Sequence, residues 1–108
     1  MLAKDTAALD FVEMSIGERN DFFVIATELK EILGELFSPD KFNYAALGNV
    51  FKRLHVHIVP RYKTPRVFEG VSFIDRQWGK NYAPYDKSFL INSDVQESII
   101  SCIRRKLT

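Results

Sequence analysis

A chain of 108 residues with 46% hydrophobic content is large enough for one packed core and too small for two ordinary domains, so a single domain over residues 1–108 is expected. Fifteen Lys and Arg against fourteen Asp and Glu leave a net charge of +1, which excludes a global field favouring nucleic acid or an anionic membrane, so any phosphate affinity must be local. Cys102 is the only cysteine, "MLAKDTAALDF" sustains no signal-peptide apolar run, and no stretch is long enough to span a membrane; a soluble, cytoplasmic protein without an internal disulfide is expected.

The first element expected is a long amphipathic helix. Ser15 precedes Glu18 by three, the spacing of a capping box, and Phe22, Ile25, Ala26, Leu29, Ile32, Leu33 and Leu36 then recur at helical spacing. Phe22, Phe23, Leu29, Leu33 and Leu36 are assigned to the core. The helix should stop near Phe37, because Pro39 disfavours helical geometry at Ser38. "KFNYAAL" reads as a strand and Gly48 and Asn49 as a turn. "RLHVHIVPR" (53–61) reads as a second strand, with Leu54, Val56 and Ile58 on one face and Arg53, His55, His57 and Val59 on the other. "RVFEGVSFI" supplies a further short strand interrupted by Gly70. The chain closes with a helix: Ser93 and Gln96 have the spacing of a second capping box, Val95, Ile99, Ile103 and Leu107 align, and Arg104, Arg105 and Lys106 suit a solvated helix C-terminus. The fold class expected is α+β, a small antiparallel sheet with a long helix packed on it and a C-terminal helix.

His55 and His57 are the only histidines. Three readings are open for them from their spacing: half-exposed strand residues, metal ligands, or nucleophilic catalysts. Alternate strand residues lie about 6.5 Å apart, so two rings on one face can converge on one ion. No third histidine exists, and no carboxylate lies within the strand. In the catalytic reading one neutral imidazole attacks phosphorus or an acyl centre and the other group steadies the leaving atom.

The stretch "GNVFKRLHVHIVPRY" decides among these, because it resembles the histidine triad (HIT) superfamily of nucleotide hydrolases and transferases, whose signature is H-φ-H-φ-H-φ-φ, often followed by Pro-Arg. The helix before it, "PDKFNYAALGN" and "PRY" look like the bacterial diadenosine polyphosphate hydrolase-like branch, and the likeness covers roughly residues 8 to 85. It implies a HIT-like fold and a nucleotide phosphoramidase or dinucleoside polyphosphate hydrolase. The implied middle histidine, the nucleophile, is His55, and the third, which assists at phosphate and leaving group, is His57. Gly48, Asn49 and Val50 are implied phosphate contacts through backbone N–H groups, and the guanidinium of Arg53 is a further candidate contact. A purine nucleotide or dinucleotide substrate and a homodimer are implied, with no nucleic acid or membrane partner. No P-loop, Gly-x-Gly-x-x-Gly or carboxylate cluster for magnesium occurs, so no metal or other cofactor is expected.

Three departures from the family pattern stand out. Arg53 occupies the place of the first histidine and cannot serve as a neutral acceptor; Val50 stands where a Ser or Thr hydroxyl is common; the usual earlier helix and strands are not evident. The competing expectation is a nucleotide-binding or interaction module with the same fold and weak or no catalysis. Trp78, Tyr82 and Tyr85 are assigned to packing rather than to the site. Asn43 either supports the neighbouring turn or faces solvent.

Overall fold

A computed structural model describes residues 10–46, 54–82 and 90–107. A single 3₁₀ turn at Phe11–Glu13 leads into helix α1, Ile16–Phe37. The expected capping box closes it: the Glu18 N–H donates to Ser15 Oγ at 3.1 Å, and the Ser15 N–H donates to Glu18 Oε1 at 3.0 Å. Two of the donors orphaned at a helix start are thereby satisfied. At the other end Ser38, held in the left-handed region with φ 45°, turns its N–H back to the Gly34 carbonyl at 2.9 Å. Arg66 supplies the positive charge that the last turn lacks, donating from Nε to the Phe37 carbonyl at 2.9 Å and from Nη2 to the Ser38 carbonyl at 3.0 Å.

Strands β1 (Lys41–Ala45) and β2 (His57–Arg61) form an antiparallel pair in which Lys41 faces Arg61, Asn43 faces Val59 and Ala45 faces His57. Regular pairing therefore occupies only the second half of the strand expected from sequence. Leu54 and Val56 just before it are buried. Leu54 packs with Met14 and Phe22, which fixes one face of this segment toward α1.

The stretch expected as one strand interrupted by Gly70 is instead a hairpin, β3 (Arg66–Phe68) with β4 (Val71–Phe73). Glu69 and Gly70 both take positive φ, 49° and 78°, the backbone that a two-residue turn needs to match strand twist. Gly70 lies in the turn between the two strands. Phe68 and Phe73 share the inner face and meet Phe37 of α1 at ring separations of 5.8 and 5.5 Å. Among the described residues the strands thus form two two-stranded ribbons rather than one sheet.

Helix α2, Ser93–Lys106, starts at its expected cap, one residue earlier than the sequence spacing predicts. Asn92 is the N-cap, accepting the Val95 N–H at 2.9 Å, and Ser93 is already helical, so the second capping box does not form. Asn is as good an N-cap as Ser. Val95 is buried, Lys106 pairs with Glu35 of α1, and Ser98 donates to Glu69 at the hairpin turn, 2.5 Å away.

The apolar stripe of α1 is wider than the surface available to cover it. Ala26 and Ile32 are buried and Phe22, Leu29, Leu33 and Leu36 half-buried, as expected, but Phe23 is 62% exposed and leaves the core. Phe11, Phe22, Phe23, Ala26, Tyr44 and Val56 line an open apolar groove of about 470 Å³ on the α1 side of the β1–β2 ribbon.

Candidate active site

Alternation along the second strand puts His55 and His57 on the face opposite Leu54 and Val56, away from α1. Their rings are neighbours, with centroids 5.2 Å apart and planes at 81°. His55 is half-buried and His57 exposed, so one imidazole is held against the protein and the other faces solvent. The two expected site residues on described backbone are therefore brought together. Gly48, Asn49, Val50 and Arg53, the other expected site residues, lie outside the described residues, as does Tyr85.

Tyr82, assigned to packing, stands beside the site: its ring centroid is 6.2 Å from that of His57. His57 thus has both His55 and Tyr82 as ring neighbours. Trp78 meets the packing expectation, since it lies under the Lys41 ammonium at 4.7 Å and the Lys63 ammonium at 5.8 Å.

Arg61, at the end of β2, is the charged residue that sequence reasoning passed over. It lies on the histidine face, four residues beyond His57, and is only 2% exposed. A buried guanidinium needs a full set of acceptors, and all five of its N–H donors have one. Nε and Nη2 grip Asp75 Oδ2 and Oδ1 at 2.6 and 3.3 Å. Nη1 donates to Asn43 Oδ1 at 2.5 Å and to the Lys80 carbonyl at 3.1 Å, and Nη2 to the Gln77 carbonyl at 2.6 Å. Asn43 thus supports the site's floor rather than facing solvent. The only advance signal was the "PR" ending the histidine stretch; its partner, fourteen residues on, carries no sequence mark.

Asp75 also accepts the N–H groups of Tyr62 at 3.3 Å and Gln77 at 3.1 Å. Burial on its own raises this carboxyl's pKa, but the Arg61 hydrogen bond, the Gln77 and Tyr62 amides and the guanidinium charge outweigh it and hold it below the usual aspartate range. Tyr62 moves the opposite way, raised by burial and by the neighbouring Asp75 charge. At the ribbon's far end, the Lys63 amide lowers Asp40, aided against burial by Arg66 and the Lys63 charge.

For a metal ion the two imidazoles need further ligands. Among the described residues no group of three or more His, Cys, Asp or Glu side chains comes together. Two adjacent imidazoles on one strand face, one half-buried and one exposed, are groups of the type that can attack phosphorus and carry a proton. Among the described residues no helix is long and apolar enough to cross a membrane.

Comparison with known proteins identifies the fold and the family. A search of curated protein sequences gave no match. Solved structures share the fold, three of them histidine triad proteins from bacteria. A histidine triad protein from Bradyrhizobium japonicum matches at TM-score 0.77 and 21% identity, over 99% of this chain and 72% of that one. One from Sinorhizobium meliloti matches at 0.72 and 21%, over 94% and 69%, and one from Marinobacter aquaeolei at 0.73 and 23%, over 94% and 68%. The family model for the HIT domain matches residues 3–64, more than half of the chain and the whole of the histidine stretch. The protein belongs to the histidine triad family.

Proposed function

We propose that this protein is a nucleotide hydrolase or transferase that cleaves at the α-phosphate of a purine nucleoside phosphoramidate or dinucleoside polyphosphate. The observation that carries the reading is the pairing of His55 and His57 on one strand face with ring centroids 5.2 Å apart. In the first step an unprotonated nitrogen of His55 attacks the α-phosphorus; the N–P bond to the enzyme forms and the bond to the leaving group breaks. A proton passes from His57 to the departing atom. In the second step water, deprotonated by His57, attacks the same phosphorus, the His55–P bond breaks, and a nucleoside monophosphate leaves.

Backbone N–H groups of Gly48, Asn49 and Val50 are assigned in this proposal to the phosphate oxygens, with Arg53 as a further cationic contact. Val50 offers no hydroxyl, and one missing donor to developing charge costs on the order of 2.7–4 kcal/mol. A slow enzyme is the expectation. The proposal uses no cofactor and extends to a single-domain, cytoplasmic homodimer, whose assembly light scattering reads.

The second reading, a nucleotide-binding module without turnover, is favoured by Arg53 and Val50 in place of the family's usual residues. Brief incubation with a radiolabelled adenosine phosphoramidate separates the two. Acid-labile label on the wild type, absent from His55→Ala, supports the enzyme. AMP binding with neither label nor turnover supports the module instead.

A further inference from the structure

The loop after β4 returns across the histidine face, and Arg61 is what holds it there. Four of the five guanidinium donors end on residues 75–80: two on the Asp75 carboxylate, one on the Gln77 carbonyl and one on the Lys80 carbonyl. The fifth ends on Asn43 of β1, so the same side chain ties the loop to the ribbon's other strand. The loop is also braced from within, by the Lys80 N–H to the Gln77 carbonyl at 2.8 Å and the Gln77 N–H to Asp75. Trp78 of the same loop meets Lys41 and Lys63 at the end of the ribbon. Two residues past the last pinned carbonyl, Tyr82 stands with its ring 6.2 Å from that of His57 and tilted 40° to it, and the His55 ring lies 5.2 Å from that of His57.

From this geometry we infer that Tyr82 is a specificity-determining wall of the site, on the leaving-group side of His57, and that Arg61 is the positioning residue that sets it there through Asp75 and Asn43. The chemical meaning of "leaving-group side" rests on the proposed nucleotidyl transfer. A half-buried phenol ring next to the residue that protonates the departing atom offers that group an aromatic surface. Departing groups that carry a ring are therefore favoured over small aliphatic ones. Lysine at position 61 has three donors on a point charge, too few and too compact to grip a carboxylate, a side-chain amide and two carbonyls together.

Two measurements test this, and they fail separately from the parent reading. Histidine ring NMR on the intact protein reads the placement without any turnover. Tyr82→Leu shifts the His57 ring proton signals, which lose the tyrosine's ring current, more than those of His55. Asp75→Asn, or Asn43→Ala should the former not fold, moves the His57 signals in the same direction with Tyr82 still present. His57 signals unmoved in Tyr82→Leu, or unmoved in a folded loop-anchor variant, overturn the inference.

Turnover of two adenosine phosphoramidates, one of benzylamine and one of propylamine, reads the specificity. Tyr82→Leu lowers kcat/KM for the benzylamine compound by roughly twofold to tenfold relative to the propylamine compound, the span of one aromatic contact. Equal effects on both overturn the inference while the enzymatic reading stands. If the wild type turns over neither, nor a diadenosine polyphosphate, the enzymatic reading falls and the specificity inference with it, while the NMR arm still decides whether Arg61 places Tyr82.

Discussion

The two faces of the strand segment 54–61 differ in how they are held. On the α1 side Leu54 and Val56 are buried among apolar side chains, and the neighbouring groove beside Phe23 is left open. On the other side one buried cation, Arg61, organises the covering loop through directed hydrogen bonds. Apolar contact is non-directional and tolerates a poorly filled edge. A buried guanidinium does not, because each unmet donor carries a desolvation cost. The polar face is therefore the better-defined one, and the histidines lie on it.

Removing the proposed nucleophile is the sharpest way to test the division. His55→Ala, on the polar face, is expected to lower turnover of an adenosine phosphoramidate at least about a thousandfold, with circular dichroism and the urea midpoint close to wild type. Arg61→Met comes next. It leaves the Asp75 carboxylate without its ion-pair partner and is expected to cost about 3–5 kcal/mol in urea unfolding, the range for breaking a buried pair from one side. If it costs less than 1 kcal/mol, the polar face is not held as described.

The same pair gives an acid dependence. The Asp75 carboxyl is depressed in the folded protein, so the folded state binds its proton less readily than the unfolded chain does. Its stabilising contribution is complete above the unfolded aspartate value of about 4 and is lost as pH falls through the lower folded value. Stability measured from pH 6 downward is expected to decline over that window in the wild type, and less steeply in Asp75→Asn.

Smaller effects belong to the apolar face. Ile32→Val, which removes one methylene from a side chain only 4% exposed, is expected to cost about 0.5–1.5 kcal/mol. Phe23→Asn, on the exposed lip of the groove, is expected to change monomer stability by less than about 0.5 kcal/mol. A loss comparable to that of Ile32→Val places Phe23 in the core after all.

Local rules made most of the elements legible. The Ser15–Glu18 box, the stop at Pro39 and strand alternation at Leu54, His55, Val56 and His57 each depend on residues within a few positions of one another. The hairpin at Glu69–Gly70 was misread as an interruption because a glycine in an apolar run marks a bulge and a turn alike. Asn92 displaced Ser93 as the cap because two good caps stood side by side. Phe23 was misassigned because helical spacing tells which residues are apolar, while how much of the stripe is covered depends on the neighbouring strands. In the site, the histidine pair was readable from its alternation and the "IVPR" that follows. Arg61–Asp75 and Tyr82 were not, since their proximity comes from a loop that folds back after a hairpin.

The central claim is that His55 and His57 hold different posts at one phosphorus centre. Rapid acid-free quenching of the wild type during turnover of an adenosine phosphoramidate, followed by peptide mapping by mass spectrometry, tests it most directly. The account predicts a nucleotidyl adduct on His55, retained when His57 is replaced by Ala. An adduct on His57, or turnover with no adduct on either ring, contradicts it.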